Sequence, residues 1–234
     1  GAVNFASTVT VVGIGTFKDD IVIGDAKTIG SSSDNDAISI AANGVVNFTQ
    51  QPTKSSVAIK VAGKETIFIP SAAFQPTTSN GCAALISVET TSGRPDMQVL
   101  DFDDGSDEHA QCQVAFPKSW NEGTVTYQVY WTTTATDTDG VAWALQGVAV
   151  SDNDTIDVAY GTAVVVTDNA HGAAEDLSVT AESGAITIAG SPAAADMTFF
   201  RIFRDVSNGG DTMAEDARLI GIRLFYTTDA ANDA

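Results

Sequence analysis

The sequence has few of the residues that metal and nucleophile chemistry needs. Its 234 residues include only two cysteines and two histidines. Cys82 and Cys112 have no second pair nearby, so the spacing of a zinc site is missing. Two buried thiols are the favoured interpretation and one disulfide is the alternative, because free cysteine packs as a small hydrophobe. His109 and His171 lie in polar, turn-like sequence, and we expect both side chains to be solvated.

Basic residues are also scarce. Eleven Lys and Arg stand against thirty Asp and Glu, which gives a formal charge of -19. Such a surface repels phosphates, so we expect no nucleic-acid partner. No apolar run approaches the roughly 20 residues that cross a bilayer, so we expect no membrane insertion. Four arginines near the end of the chain are expected to pair with acids within or between subunits: Arg201, Arg204, Arg218 and Arg223.

Helix signals are nearly absent, whereas strand signals recur. In Thr124–Trp131, the apolar residues alternate with polar ones, which predicts a half-buried strand. Similar runs, bounded by turn-forming residues, are Lys64–Ile69, Gln111–Phe116, Val141–Val150, Ala163–Val166, Ala185–Ile188, Met197–Arg204 and Arg218–Thr227. This spacing is typical of an antiparallel β-sandwich, and we predict one over residues 61–234.

Residues 1–60 have a different pattern. Their predicted strands are shorter (Ile21–Ile23, Ala37–Ile40 and Val45–Phe48), and the segment Gly1–Ser7 is echoed by Gly44–Gln50. Few side chains are bulky, so one copy buries too little apolar area to offset the entropy of ordering it. We therefore predict a repetitive β stalk held together by identical strands of other subunits, with a flexible linker as the alternative.

Several segments resemble structural proteins of tailed bacteriophages. The stalk resembles the Gly/Asp/Ser-rich repeats of phage fibres, and the rest resembles a terminal domain of marine phage structural proteins. The segments that carry the resemblance are Asp20–Asp25, Gly30–Phe48, Ile69–Gly81, Val99–Asp103, Phe116–Val125 and Asp216–Thr228. The resemblance implies an intertwined homotrimer with a jelly-roll-like β-sandwich tip, and it implies no catalytic residues.

The expected function is therefore that of a non-enzymatic virion protein without a cofactor. A trimeric tail fibre or spike on the virion exterior would attach to other virion proteins through its N-terminal segment. Its tip would recognise a glycan or protein on the host surface. The alternative is a capsid decoration protein or head fibre, and a surface-layer or adhesin module is a third possibility.

Two aromatic residues are candidate ligand contacts. Trp120 lies in a predicted turn, and Tyr130 faces the polar side of its strand, so each is expected to reach a ligand or a neighbouring subunit. Tyr127 and Trp131 share the apolar side of the same strand, and Trp143 lies in an apolar run. These three are expected to be core residues.

An acidic segment, Asp101–Glu108, contains five carboxylates in eight residues. Clustered carboxylates suit calcium, but an EF-hand loop needs glycine at its sixth position and glutamate at its twelfth. Counted from Asp101, serine and cysteine occupy those positions, so a solvated turn is favoured. Asp101, Asp103, Asp104 and Asp107 remain weak candidates for a loose metal site. Cleavage of a polysaccharide by paired carboxylates is disfavoured for a chain of this length.

Overall fold

The computed structural model describes residues 12, 26–30, 33, 37–50, 52–54, 57–58 and 63–229. Within these residues the regular structure is β-strand apart from one 3-10 turn at Ser71–Ala73, which confirms the predicted all-β class. No helix in this part of the chain is long and apolar enough to cross a membrane. The strands are β1 (Lys27–Ile29), β2 (Ile38–Ile40), β3 (Val46–Phe48), β4 (Thr53–Lys54), β5 (Val57–Ala58), β6 (Gly63–Pro70), β7 (Gln75–Pro76), β8 (Ile86–Glu89), β9 (Asp96–Phe102), β10 (His109–Ala115), β11 (Thr126–Thr132), β12 (Gly140–Val150), β13 (Val164–Asn169), β14 (Ser178–Val179), β15 (Met197–Arg204) and β16 (Ala217–Thr228).

The chain divides into two compact units, residues 1–59 and residues 60–234. In the first unit, β1, β2 and β3 form an antiparallel three-stranded sheet, which we call the N-terminal sheet. Strands β4 and β5 form a separate hairpin. The predicted strand Ile21–Ile23 and the first copy of the echo, Gly1–Ser7, lie outside the described residues.

The second unit is an antiparallel β-sandwich, as predicted. Its five-stranded sheet has the order β13-β12-β15-β10-β7. Its six-stranded sheet has the order β14-β11-β16-β9-β8, with β6 also paired to β16. Strand β16 organises this second sheet, because β11 lies along one side of it while β9 and then β6 share the other side.

One predicted strand is wrong. Residues 185–188 form one isolated bridge, between Ile186 and Val125, and the next residue, Ala189, forms another with Val148. Val125 directly precedes β11 of the six-stranded sheet, and Val148 lies in β12 of the five-stranded sheet, so the segment contacts both sheets. A segment divided between two layers cannot build a continuous ladder with either.

The core follows the alternation seen in the sequence. Tyr127 and Trp131 in β11 and Trp143 in β12 are fully buried, which confirms their expected place. The Tyr127 hydroxyl hydrogen-bonds with the carbonyl oxygens of Trp143 (2.8 Å) and Val164 (2.7 Å). The Trp131 Nε1 donates to Asp168 Oδ2 (2.9 Å). The polar ends of Tyr127 and Trp131 thus tie the two sheets together.

Arg204 is buried in the sandwich with its charge neutralised. Its guanidinium makes a bidentate pair with Asp211, with Nε 3.0 Å from Oδ2 and Nη2 2.8 Å from Oδ1. Its remaining N–H groups donate to the carbonyl oxygens of Phe102, Met213 and Glu215. A buried arginine satisfied in this way anchors the loop after β15 to the sheet.

Only two of the four arginines meet acids as expected. Arg204 pairs with Asp211, and Arg218 Nε lies 3.4 Å from Asp101 Oδ1. Within the described part of the chain, Arg201 and Arg223 have no such pair, so the expectation fails for both in the single chain. Each guanidinium lies over a tyrosine ring instead.

Both cysteines are free and buried, which confirms the favoured interpretation over a disulfide. Burial raises the pKa of Cys82 and of Cys112 to about 12. A thiol with so high a pKa is a packing residue and a poor nucleophile.

Candidate ligand-binding site

The outer face of the five-stranded sheet carries a row of rings and polar groups. Along β15, Thr198, Phe200, Ile202 and Arg204 point inward and are buried, so the alternate residues point outward. The outward residues are Met197, Phe199, Arg201 and Phe203, and each remains partly exposed. The same strand thus supplies the core on one side and a mixed aromatic and cationic surface on the other.

Strand β10 adds histidine and amide groups beside this row. His109, Gln111 and Gln113 lie opposite Phe203, Arg201 and Phe199 respectively. The His109 ring lies 5.0 Å from the Phe203 ring. We call the outward residues of β10 and β15 the sheet-face site.

His109 is not the solvated residue that we expected. It is half-buried, and its Nδ1 lies 3.2 Å from the carbonyl oxygen of Asn80. Burial lowers the pKa of His109 below its usual range, and the nearby Arg201 acts in the same direction. The local sequence is turn-like, but β10 begins at His109 and packs its ring on the sheet. The other histidine, His171, is exposed, as predicted.

The loop between β12 and β13 folds back over one side of this face. Gly161 N donates to the carbonyl oxygen of Gly147 in β12 (3.1 Å). A Cβ on Gly161 would lie 2.8 Å from the carbonyl oxygen of Thr187, so only glycine allows this close approach. The preceding residue, Tyr160, is thereby held over Arg201, with the guanidinium carbon 4.9 Å from the ring centroid.

A cavity of about 330 Å³ opens at one end of the row. It lies where β12 ends at Val150 and β15 begins at Met197, which are paired residues. A tight turn follows β12, in which Asp154 N donates to the carbonyl oxygen of Ser151 (3.1 Å) and Asn153 has a φ of 69°. The lining residues are Val150, Ser151, Asp152, Asn153, Asp154, Ile156, Ala195, Met197 and Phe199.

The cavity combines two kinds of lining. Phe199, Met197 and Ile156 offer apolar surface, while the turn 152–154 offers two carboxylates and an amide. A sugar ring has an apolar face and a rim of hydroxyls. Aromatic surface suits the first, and carboxylate and amide groups can accept and donate hydrogen bonds to the second. The lining of the cavity is therefore suited to bind a small polar ligand that has one flat apolar side.

The sequence did not point to these residues. Both sides of β15 carry phenylalanine and arginine, so alternation alone does not tell the surface from the core. The turn 152–154 resembles any acidic turn in a chain with thirty acids. The sequence does contain one signal for the site. A polar turn, residues 152–154, directly follows the apolar strand β12, and β12 pairs with the aromatic strand β15.

The expected exposure of Trp120 is wrong. The residue is 2% exposed, its ring stacks on Phe116 with centroids 4.1 Å apart, and it bridges to Thr228 at the end of β16. Its backbone does lie in a turn region, but the direction of a turn side chain is set by what packs beneath it. Here Phe116 supplies an aromatic surface inside the sandwich, so the indole points inward.

Tyr130 lies outward on the six-stranded sheet and is half-buried, as its position in the alternation predicts. Its ring meets Phe68 edge-on at 5.5 Å, and the Arg223 guanidinium lies 5.3 Å from its centroid. Its role as a ligand contact stays a prediction. Trp120 and Tyr130 do not form one site, since their partners on β16, Thr228 and Gly221, are seven residues or roughly 23 Å apart.

The acidic segment uses its carboxylates to bind backbone N–H groups, both within the segment and in the loop after β15. Asp103 Oδ1 accepts from Gly105 N (2.5 Å), and Asp107 Oδ1 accepts from Val206 N (3.1 Å). Asp101 belongs to β9 and faces Arg218, while Asp104 is exposed. Burial raises the pKa of Asp101, and Arg218 opposes that shift. Over the described ranges, no three acidic, histidine or cysteine residues are grouped in a way that could hold a metal ion.

Comparison with known proteins gives only distant structural similarities. No family model matches the chain, and no curated protein matches it. A family 35 carbohydrate-binding module from Clostridium thermocellum is similar over 68% of this chain and 97% of its own, with 9% identity and a TM-score of 0.38. A family 35 module from Cellvibrio japonicus Abf62 is similar over 68% of this chain and 92% of its own, with 7% identity and a TM-score of 0.37. A family 11 module from C. thermocellum, solved with a mixed-linked tetrasaccharide, is similar over 74% of this chain and 92% of its own, with 5% identity and a TM-score of 0.36. All three TM-scores are below 0.5, so these similarities support no conclusion about this chain.

Proposed function

We propose that this chain is a non-enzymatic appendage of a phage virion, a tail fibre or spike, whose sandwich binds a glycan on the host surface. The observation that carries the glycan part is the cavity beside the sheet-face site. It places Phe199 and Met197 next to Asp152, Asn153 and Asp154. A surface of this kind can hold a sugar through its apolar face and its hydroxyls without any reacting group.

The N-terminal sheet supports the oligomeric part of the proposal. Its register aligns Ile29, Ile38 and Phe48 across the three strands on one face, while Thr28, Ser39 and Asn47 occupy the other. Ile29 and Phe48 are 45% and 53% exposed. A sheet with one apolar face requires a covering layer, and identical sheets of other copies arranged about an axis would supply one. A homotrimer with its N-terminal segments together is the arrangement proposed.

A glycan array tests the binding part. We expect the full chain to bind a subset of surface glycans and Phe199→Ala to weaken that binding at least tenfold. The matched control is Phe68→Ala, which removes an equal ring, 51% exposed, from the other sheet. Equal loss in both variants, or binding unchanged in Phe199→Ala with its melting temperature preserved, would contradict the sheet-face site.

Two further measurements test the virion part. Native mass spectrometry should give three times the chain mass of 24.2 kDa, and a monomer would contradict the trimer. Gold-labelled antibody on particles should mark the tail. Label on the capsid shell would favour a decoration protein or head fibre instead.

A further inference from the structure

Arg201 is an unneutralised cation in a strongly acidic protein. The chain carries a formal charge of -19, and the buried Arg204 and half-buried Arg218 each have an aspartate partner. Arg201 is also half-buried, yet no acidic oxygen of the described residues lies within 4.0 Å of it. Its charge is therefore available to an anion from outside the chain.

Neutral groups hold the guanidinium in one orientation. The Gln146 amide is assigned so that its Oε1 accepts from Nε (2.6 Å) and Nη2 of Arg201 and its nitrogen donates to the carbonyl oxygen of Gly161 (3.1 Å), because the opposite orientation would face donor with donor and acceptor with acceptor. The Tyr160 ring lies over Arg201 at 4.9 Å, and its hydroxyl lies 3.5 Å from Gln111 Oε1. A guanidinium fixed on one edge and on one face loses little entropy when it binds a ligand.

The remaining donors of Arg201 form a fork. A guanidinium has five N–H groups, and Gln146 takes the one on Nε and one on Nη2. The other three have no acceptor within the part of the chain that the structure describes. The free hydrogens of Nη1 and Nη2 point in parallel, which is the geometry that two oxygens of a carboxylate or sulfate accept.

The fork lies within the sheet-face site. Arg201 is two residues from Phe199 and two from Phe203 on the same side of β15, so it stands about 6.6 Å along the strand from each ring. Phe199 also lines the cavity. A saccharide that lies along this row would therefore place its substituents beside the guanidinium.

We propose that the sheet-face site selects acidic saccharides, with Arg201 binding the carboxylate or sulfate group of the sugar through its Nη1 and Nη2 edge. This inference rests on the proposed function and specifies its ligand class. The acidic surface, including Asp152 and Asp154 in the cavity, repels an anionic glycan, so the attraction is local to Arg201 and gives orientation as well as affinity.

The experiment compares matched ligands by titration calorimetry. The probes are an oligosaccharide that contains glucuronic acid, the same oligosaccharide after carboxyl reduction, and a sulfated oligosaccharide of equal length. We expect the acidic probes to bind at least tenfold more tightly than the reduced one, and the titrations with the glucuronic acid and sulfated probes to show whether carboxylate or sulfate is preferred. Arg201→Gln should abolish the difference, and Arg201→Lys should restore part of it.

Arg223→Gln is the matched control, since it removes a cation that lies over a tyrosine on the other sheet. It should leave all three affinities unchanged. Equal affinity of the wild type for the acidic and reduced probes would overturn the inference and leave glycan binding intact. If no glycan binds, the proposed function fails; NMR of the Arg201 side-chain N–H signals during titration with sodium glucuronate and sodium sulfate then decides the inference, and unmoved signals overturn it.

A carboxylate from a second copy of the chain is the competing partner for the fork. In that case Arg201→Gln would lower the native mass of the assembly and change no glycan affinity. That outcome would overturn the inference. An unchanged mass with lost preference for the acidic probes supports it.

Discussion

The N-terminal sheet and the sandwich follow the same alternation of apolar and polar residues, but their apolar side chains are buried to different extents. In the sandwich, the inward residues of β11 meet a second sheet, and Trp131 is fully buried. In the N-terminal sheet, Ile29 and Phe48 lie on the apolar face and remain about half exposed. Alternation therefore predicts which side of a strand is apolar. It does not predict whether the same chain supplies the cover.

The difference has an energetic consequence. Three short strands that have no second layer among the described residues are marginally stable in water, whereas a two-layer sandwich with large buried rings is self-sufficient. We therefore expect the sandwich to be stable in each chain separately and the N-terminal sheet to be stabilised by contacts between copies.

The largest expected effect is on the sandwich. Trp131→Ala removes a fully buried ring and its hydrogen bond to Asp168, and it should lower the free energy of unfolding by about 3–5 kcal/mol. Trp120→Ala should lower the free energy of unfolding by about the same amount, because Trp120 is also buried. Differential scanning calorimetry of both variants measures the loss. A melting temperature of Trp120→Ala within a few degrees of the wild type would contradict its place in the core.

The next effect is confined to the N-terminal sheet. Ile38→Asp puts a charge at the centre of the apolar face and should dissociate the copies while the sandwich stays folded. Ser39→Asp is the matched control, because it adds the same charge to the polar face of the same strand. Native mass spectrometry and circular dichroism report the two units separately. Dissociation by Ser39→Asp, or unfolding of the sandwich by Ile38→Asp, would contradict the division.

The smallest effect is a pH dependence limited to the sandwich. The pKa of His109 is lower in the folded state than its usual 6.5, so the unfolded chain takes up a proton first as pH falls. Its contribution to stability is therefore fully present above pH 6.5 and is lost as pH falls through the folded pKa. The second unit holds both histidines, so only its transition should respond in this way.

Thermal melts between pH 5 and 7 measure this slope. His109→Gln should flatten the slope of the sandwich transition and leave the other transition unchanged. A variant slope equal to that of the wild type would show that His109 does not titrate differently in the two states.

Much of the fold could be predicted because burial and alternation coincide in it. Met197–Arg204 was expected and observed with the same bounds, and Val141–Val150 differs from β12 by one residue. Residues 185–188 could not be placed, since a segment divided between two sheets has the composition of a strand without its ladder. The very short β7 and β14 carry too few residues to show a period.

The candidate site was harder to predict than the fold. Tyr130 was placed correctly on the outer side of its strand because strand geometry fixes that direction. Trp120 was misplaced because no such rule applies in a turn. The sheet-face site depends on register, which brings Gln111 beside Arg201, and on a loop that carries Tyr160 back over the sheet. Both are long-range facts that single-sequence periodicity does not contain.

Thermal unfolding of the full chain at two concentrations tests the division most directly. We expect two transitions, because an assembly held by contacts between copies is stabilised by mass action and a self-sufficient domain is not. A hundredfold dilution should lower the melting temperature of the N-terminal sheet and leave that of the sandwich unchanged. A single transition, or two transitions that both ignore concentration, would contradict the claim that the N-terminal sheet is completed by other copies of the chain.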